Sequence, residues 1–353
     1  MKKTIVIEGR AKINVYSDKK ISRELPVFYN PVMELNRSLT IEVLKVFGKD
    51  AMQIALPMEA SGVRAIRFIK ELPKKMIKLL ECNDHSPAAV KAMKENAKLN
   101  KVASRMKIYQ KDANQFLLDG FGYDYIDVDP FGSPNFLLDS AMKRISRGGI
   151  IGVTATDAAA LAGTFPRACK RKYDSTPMRN HMKHEVATRI LIRKIQVVAA
   201  QYDKACTPLL SYAHEHYYRV FVKCEKSKTG TDSIMAQHGE ISYCPAHGMH
   251  QEKTLCCSKV KHAGPLWKGA LWHPDIKKLD DSKSLIETMK RELPDIVGFY
   301  DSHDLFRKSI PRTKDILSFL KKKGFKASET IFNEHSIKTN APLKEIVKYL
   351  QRK

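Results

Sequence analysis

The sequence lacks any long apolar run. No window of about 18 apolar residues occurs, and this absence excludes a transmembrane helix. The first residues, MKKTIVIEGRAK, include only the short apolar run Ile5–Ile7, which is too short for the core of a signal peptide. We therefore expect a chain that is neither inserted in a membrane nor exported.

Acidic residues are scarce relative to basic ones. The 353 residues include 62 Lys and Arg but only 38 Asp and Glu, giving a formal net charge of +24. This excess indicates a polyanionic partner, because basic side chains that neutralise phosphates release counterions. Nucleic acid is the first candidate and an anionic membrane surface the second. A solvated lysine-rich surface, as in many thermophile proteins, is the alternative without a partner.

Apolar runs alternate with helical patterns over roughly the first two thirds of the chain. This alternation is typical of parallel strands joined by crossover helices. It predicts an α/β fold with a doubly wound, mostly parallel sheet that ends in an antiparallel hairpin of Leu209–Tyr212 and Arg219–Cys224. The other strand candidates are Gln53–Leu56, Met76–Leu80, Lys107–Tyr109, Tyr125–Val128 and Ile150–Thr154.

The composition changes near Lys226, where the stretch KSKTGTDS is polar and has no apolar periodicity. We interpret this stretch as a linker. It divides the chain into a domain over residues 1–225 and a smaller α+β domain over residues 226–353. The smaller domain contains a loop-rich segment and then lysine-rich helical patterns over Thr313–Lys323 and Leu343–Gln351.

Residues suited to a cofactor follow the first three predicted strands. A doubly wound sheet binds its ligand at the carboxyl ends of its strands. Gly62 lets the backbone approach a ligand, Asp84 lies 22 positions later and can accept from a ribose diol, and Asp112 with Ala113 can hold an adenine. Turn and capping roles are the alternatives for both aspartates. The chain has no G-x-G-x-x-G, which argues against a dehydrogenase, and the three spacings together resemble an S-adenosylmethionine-dependent methyltransferase.

The stretch D-V-D-P-F-G-S-P over residues 127–134 ends the fourth predicted strand. An exocyclic amine of a nucleobase is a poor nucleophile, because its lone pair is conjugated into the ring. A carboxylate and a backbone carbonyl can accept both of its N–H bonds and aim the lone pair at an electrophilic methyl group. Pro130 fixes the local backbone, and Phe131 can stack on the base. A strand-ending turn with a buried aromatic is the alternative.

D-P-F-G resembles the D/N-P-P-Y/F signature of amino methyltransferases. With its flanks, it resembles the archaeal and eukaryotic tRNA guanine-26 N2-dimethyltransferases. The resemblance implies transfer of two methyl groups from S-adenosylmethionine to N2 of a guanine in tRNA, and a C-terminal domain that binds tRNA. The supporting stretches are Phe28–Arg37, Ser61–Phe68, Asp129–Pro134, Thr154–Leu161, Gly264–Trp267 and Ile337–Pro342.

The resemblance also implies roles for individual residues. Asp129 would orient guanine N2, and Phe28 and Phe131 would sandwich the base, which must be flipped because pairing hides its amino group. The cofactor would be bound beside Gly62 by Arg37 and Arg67 at its carboxylate, by Asp84 at its ribose, and by Asp112 and Ala113 at its adenine.

One departure from the family pattern concerns the first strand. Family members usually have an aspartate about six residues before the glycine, but this chain has Leu56 there, then Pro57, and an acid only at Glu59. The departure supports an alternative function, an RNA-binding protein that has lost its cofactor. Another alternative keeps the chemistry with a different amine, either adenine N6 or cytosine N4 in DNA, or a guanine in rRNA.

The second departure concerns zinc. Seven cysteines, an odd number in a long chain, indicate reduced thiols in the cytoplasm and leave a metal role open. Many relatives have two C-x-x-C pairs before the G-P-L-W stretch, whereas this chain has Cys244 and His247 as C-x-x-H and then adjacent cysteines at 256–257. Adjacent cysteines rarely both bind one ion, which argues against zinc. The candidate ligands are Cys244, His247 and Cys257, with His250 or His262 available to complete a set.

Overall fold

The computed structural model describes residues 3–16, 27–280, 284–305 and 311–349. The chain starts with an antiparallel hairpin of β1 (Lys3–Glu8) and β2 (Ala11–Tyr16), and helix α1 (Glu34–Phe47) follows. Helix α1 ends at Gly48, whose backbone N–H donates to the carbonyl of Leu44 at 2.9 Å.

Strands and helices alternate in the next part of the chain. This alternation gives the parallel part of the sheet, with each helix returning the chain to the same edge. The elements are β3 (Met52–Leu56), α2 (Val63–Glu71), β4 (Ile77–Asn83), α3 (Pro87–Leu99), β5 (Lys107–Tyr109), α4 (Ala113–Asp119), β6 (Tyr123–Val128), α5 (Asn135–Arg144) and β7 (Ile145–Ala155).

The later elements are three helices and the two strands that complete one edge of the sheet. Helices α6 (Ala158–Leu161), α7 (Pro166–Tyr173) and α8 (Lys183–Ala200) precede β8 (Lys204–His214) and β9 (Tyr217–Lys226). The seven-stranded sheet has the order β5-β4-β3-β6-β7-β9-β8. A two-residue turn joins β8 to β9, so the predicted terminal hairpin is confirmed. The strand order reverses between β3 and β6, and doubly wound sheets bind ligands at such a point.

The predicted linker after Lys226 is wrong, because Lys228–Met235 form a helix, α9. Thr231 and Ile234 are buried on it. Tertiary burial of one face therefore overrides a polar sequence with weak helix propensity.

Among the described residues, the remaining elements include two small sheets and four α-helices. Strands β10 (His238–Cys244), β11 (Gly248–His250) and β12 (Lys261–Trp267) pair in the order β11-β10-β12, and β13 (Tyr300–Asp301), β14 (Ala327–Ser328) and β15 (Ser336–Thr339) pair in the order β13-β15-β14. The helices are α10 (Ser284–Arg291), α11 (Ser302–Leu305), α12 (Thr313–Lys322) and α13 (Leu343–Lys348). The helical pattern predicted over Leu343–Gln351 is helical over Leu343–Lys348, and its predicted last residues, 350 and 351, lie outside the described residues.

The chain divides into two compact units. The first contains the described residues of Met1–Thr154, Gln201–Thr207 and Phe221–Ser227, and the second contains those of Ala155–Ala200, Pro208–Val220 and Lys228–Lys353. Because the chain passes between the units several times, a boundary between independently folding domains at residue 225 stays a prediction. No helix among the described residues is long and apolar enough to cross a bilayer.

A buried ion network explains one family-like stretch in the second unit. Lys338, in the stretch Ile337–Pro342, is fully buried, and its ammonium lies 3.1 Å from Glu185 and 2.8 Å from Glu292. Arg189 donates to Glu185 at 2.8 Å and is also fully buried. Buried charges need partners of this kind, so these residues constrain one another.

Candidate active site

Asp129 lies directly after β6, at the point where the strand order reverses. Arg64 on α2 donates to Asp129 through Nη2 at 2.5 Å, and its Nη1 lies 3.2 Å from Oδ2 of Asp127. Asp127 is buried, whereas the side chain of Asp129 is 20% exposed. One guanidinium therefore fixes both carboxylates and leaves the second one accessible.

Arg64 is itself held from α1. Its Nη1 donates to Oδ1 of Asn36 and to Oγ1 of Thr40, each at 3.1 Å. The amide of Asn36 donates to Oγ1 of Thr154 at 3.2 Å, so the network also reaches the end of β7. Sequence analysis assigned Arg64 no role. One feature of the sequence could have singled out Arg64. It is a basic residue in the first turn of a helix, where the helix dipole disfavours a positive charge unless an acidic group is near.

The two predicted aromatic residues come together beside Asp129. The ring centroids of Phe28 and Phe131 are 4.6 Å apart and the rings meet edge to face. A base between two parallel rings needs about 7 Å, twice a carbon–carbon contact distance, so the rings must part to admit one. Phe131 is half exposed, and Gly132, at φ +78°, has open space where a Cβ would lie.

Gly62 and Asp84 form the first part of the predicted cofactor edge. Gly62 has φ +83°, and a Cβ there would lie 3.2 Å from Cγ of Met93. Asp84 accepts the N–H of Ala60 through Oδ2 and that of Ser86 through Oδ1, each at 3.0 Å. Its carboxylate thus joins the glycine turn to the start of α3. Asp84 therefore has the turn and capping role that was the alternative to binding a ribose. Each carboxylate oxygen has a further lone pair for a ligand.

Asn83 links the ends of the first three parallel strands. Its Nδ2 donates to the carbonyls of Pro57 and Lys111, each at 3.0 Å, and its Oδ1 accepts the N–H of Lys111 at 2.9 Å. Asp112 caps α4, because its Oδ1 accepts the N–H of Asn114 at 2.9 Å. Ala113 is buried as the first residue of α4. Asn83, which sequence analysis did not identify, therefore links the residue before the predicted adenine-binding pair to the segment after the first parallel strand.

Arg37 and Arg67, predicted to bind the cofactor carboxylate, both contact buried Glu8 on the N-terminal hairpin. Arg37 donates to Glu8 at 2.6 and 2.5 Å, and Arg67 donates to it at 3.0 Å. Burial raises the pKa of Glu8, but the hydrogen bonds and charges of the two arginines outweigh it and lower the pKa overall. Arg67 also donates through Nε and Nη2 to Glu71, each at 2.9 Å. Within the described residues, Nη1 of Arg37 has no recorded acceptor.

Glu59, the acid that departs from the family pattern, is buried in the turn that precedes α2. Its Oε1 accepts the N–H of Ala65 at 2.9 Å, in the first turn of a helix whose N-cap, Gly62, has no side chain to do so. Burial raises the pKa of Glu59 to about 8, and the guanidinium of Arg64 opposes the rise. Glu59 therefore retains its proton over much of the neutral range.

A cluster of Cys244, His247, Cys256 and Cys257 brings four donor atoms within 4.8 Å of one another. Sγ of Cys244 lies 3.3 Å from Nδ1 of His247 and 3.4 Å from Sγ of Cys257. A tetrahedral zinc ion with bonds of about 2.0–2.3 Å separates its ligands by roughly 3.3–3.8 Å, so the donor set fits zinc. The three candidate ligands come together, and Cys256 joins them although adjacent cysteines were expected to exclude each other.

The two histidines offered as completing ligands are not in this cluster. His262 instead has its Nδ1 2.9 Å from Oγ of Ser242, and His250 lies on β11.

Burial raises the pKa of the Cys244 thiol, but the backbone N–H of Ala246 and the side chain of Cys257 lower it to about 6 overall. The thiolate that a metal requires is therefore favoured at neutral pH.

The variant Glu59→Gln tests the proton on Glu59. The wild-type carboxyl has a pKa of about 8 when folded against 4.5 ordinarily. The folded chain thus binds more protons between these values, and the free energy of unfolding falls as the pH rises from about 5 to 8. We expect the variant to melt roughly 5 °C above wild type at pH 9, with a much smaller difference at pH 5. The control is Glu287→Gln on α10, and an equal difference at both pH values would contradict the prediction.

Elemental analysis of the purified chain tests the metal site. We expect about one zinc ion per chain, bound by the four-residue cluster. Cys244→Ser should lose it and lower the melting temperature, because metal binding stabilises only the folded state. Cys169→Ser, at a buried cysteine outside the cluster, should keep the ion. Unchanged zinc content in Cys244→Ser would show that the cluster is not the site.

Comparisons with known proteins bear on the family of the chain. Residues 9–351 match the family model for N2,N2-dimethylguanosine tRNA methyltransferase. The chain is 36% identical to a tRNA (guanine(26)-N(2)/guanine(27)-N(2))-dimethyltransferase of Aquifex aeolicus, over 98% of this chain and 95% of that protein. It is 35% identical to a tRNA (guanine(26)-N(2))-dimethyltransferase of Pyrococcus abyssi, over 98% of each.

A solved structure matches the fold over nearly the whole chain. Trm1 from Pyrococcus horikoshii, in complex with S-adenosyl-L-methionine, superposes with a TM-score of 0.86 at 33% identity, over 98% of this chain and 99% of that one. The chain belongs to the N2,N2-dimethylguanosine tRNA methyltransferase family.

Proposed function

We propose that the chain transfers two methyl groups from S-adenosylmethionine to N2 of guanine 26 in tRNA. The observation that carries this proposal is the carboxylate of Asp129, which Arg64 holds at 2.5 Å at the reversal of strand order, beside the rings of Phe28 and Phe131. The family membership and the relatives named for this reaction support it.

Asp129 prepares the amine for attack. Arg64 fixes Oδ2, so Oδ1 can accept one N–H of guanine N2 while a nearby backbone carbonyl accepts the other. When bound, S-adenosylmethionine supplies an electrophilic methyl carbon on a sulfonium leaving group. A bond forms from N2 to that carbon as the carbon–sulfur bond breaks. The methylated nitrogen then loses its proton to Asp129 or to water, and one N–H remains for the second transfer.

Residues at the sheet edge fit the cofactor. Gly62 allows the left-handed turn to pack closely against Met93 on α3, and Asp84 and Asp112 each retain lone pairs beyond those used in turns. We assign the ribose to Asp84, the adenine to Asp112 and Ala113, and the carboxylate to the arginine pair, in which Arg37 makes the direct contact and Arg67 holds it in position through Glu8. The cofactor and flipped guanine would then meet at Asp129.

The lysine-rich C-terminal helices are proposed to bind the tRNA backbone. Lys314, Lys321 and Lys322 on α12 are exposed, and no ion pair is recorded for them in the described ranges. Unpaired surface lysines of this kind release counterions when they meet phosphates. The cytoplasmic location expected from cysteine usage stays a prediction.

Asp129→Ala tests the chemistry. We expect methyl transfer to fall by about 10²–10⁴-fold while tRNA and cofactor binding stay within about twofold of wild type, because Arg64 keeps Asp127 as an ion-pair partner when the acceptor for N2 is removed. The assay uses labelled S-adenosylmethionine, a tRNA transcript with guanine 26 and a second transcript with adenine there, followed by nucleoside digestion to separate monomethyl from dimethyl product.

Asp139→Ala on α5 is the matched control, since it removes a carboxylate from a side chain that is half exposed and paired with Lys143. Full activity in Asp129→Ala would overturn the role of Asp129. Methylation of the adenine-26 transcript would place the target elsewhere, and a third transcript altered at position 27 locates a neighbouring guanine. A cofactor titration followed by thermal shift separates an enzyme from an RNA-binding protein without a cofactor.

Replacing Lys314, Lys321 and Lys322 together with Ala tests the C-terminal interface. We expect weaker tRNA binding and a salt dependence flatter by about one unit of log–log slope for each phosphate that is no longer neutralised. The control replaces the three exposed lysines of α3 at positions 91, 94 and 98. A salt slope equal to wild type would remove these lysines from the tRNA interface.

A further inference from the structure

Helix α7 presents an exposed basic face. Four of its eight residues are basic and none is acidic. Cys169 and Tyr173, four positions apart, are fully buried and define its inner face. Arg167 and Arg171, also four positions apart, are exposed and lie on the opposite side of the helix. The charge is therefore concentrated on the solvent side of one short helix.

The inner face fixes α7 in place. The hydroxyl of Tyr173 donates to Oδ1 of Asp157 at 2.7 Å. Arg193 on α8 donates to the carbonyl of Tyr173 at 3.3 Å and so caps the carboxyl end of the helix, where a cation is favoured. The outer side chains can thus change without removing these anchors.

The basic side chains of α7 fall into two groups. Lys170 lies 2.7 Å from Asp174, and Lys172 lies 3.1 Å from Asp157, so both lysines are neutralised within the chain. Arg167 and Arg171 have no hydrogen bond or ion pair recorded among the described residues. Two unneutralised guanidiniums therefore remain on the outer face.

The turn before α7 adds a third guanidinium and an aromatic ring. Gly163 has φ +86°, and a Cβ there would lie 3.3 Å from Cβ of Arg179, so this turn packs against Arg179. Arg179 is exposed, and the described ranges record no acidic partner for it. Phe165, the residue before α7, is 61% exposed. An exposed aromatic ring and three exposed guanidiniums on one helix and the segments next to it are typical of a surface that binds single-stranded nucleic acid.

We propose that Phe165, Arg167, Arg171 and Arg179, the α7 surface, bind the tRNA substrate. The arginines contact phosphate oxygens, because a guanidinium fork matches phosphate geometry, and Phe165 stacks on an unpaired base. The proposal rests on the proposed function and locates a tRNA-binding surface outside the C-terminal helices. Charge complementarity and the exposed ring favour RNA over an acidic protein, which offers no base to stack on.

Three variants of the full chain separate these contributions. Replacing the three arginines with Ala should weaken binding of the guanine-26 transcript about ten- to hundredfold at 0.15 M salt and flatten the log–log salt slope by about three units. Replacing them with Lys should keep most of the slope. Phe165→Ala should weaken binding by about fivefold or more with no change in slope, because stacking involves no counterions. Fluorescence anisotropy of labelled transcript over a salt series measures all three.

The α3 triple-lysine variant is the matched control, since it removes the same charge from another exposed helix. Equal weakening in that control would show an effect of net charge and overturn the α7 surface, as would wild-type affinity and slope in the arginine variant. If the wild-type chain methylates tRNA and the arginine variant binds tRNA as wild type does, the α7 surface is overturned and the proposed function stands. If the wild-type chain binds no tRNA, both proposals are overturned. Unchanged tRNA binding together with abolished binding to phosphatidylserine vesicles would reassign the surface to a membrane.

Discussion

The buried guanidinium of Arg64 is the interaction on which the site depends. It lies between the carboxylates of Asp127 and Asp129 and receives further contacts from α1. Removing Arg64 would leave the buried carboxylate of Asp127 without its cation, and an uncompensated buried charge typically costs about 3–5 kcal/mol. The position of the accessible carboxylate is therefore tied to the packing of α1, α2 and β6, and a catalytic group at a strand end gains the rigidity of the whole sheet edge.

The parts of the fold that were predicted correctly have local causes. The parallel strands follow from alternating apolar runs and helices, and the hairpin of β8 and β9 follows from two adjacent apolar runs. Asp129, Phe28 and Phe131 could be singled out because they belong to short motifs. Asp129 and Phe131 lie together because both follow β6, whereas Phe28 reaches them from the segment before α1.

The features that sequence analysis missed depend on contacts between distant residues. Arg64 meets Asp129 across 65 positions, and Glu8 meets Arg67 across 59. No local pattern reveals such pairs. The helix at Lys228–Met235 was missed for a related reason, because two buried residues stabilise a stretch whose composition indicates a turn. Cys256 was left out because adjacent cysteines rarely both bind one ion. In the structure its sulfur lies within 4.8 Å of the other three donor atoms.

The arginine network distinguishes the two residues expected at the cofactor carboxylate. Arg67 uses Nε, Nη1 and Nη2 in bonds to Glu8, Glu71 and Ser38, so it joins the N-terminal hairpin to α2. Arg37 gives Nε and Nη2 to Glu8 and leaves Nη1 without a recorded acceptor in the part of the chain that the structure describes. Glu8 and Glu71 already balance the two cations, so an incoming carboxylate is best met by the N–H bonds still available. We therefore expect Arg37 to contact the cofactor directly and Arg67 to hold Glu8, and through it Arg37, in position.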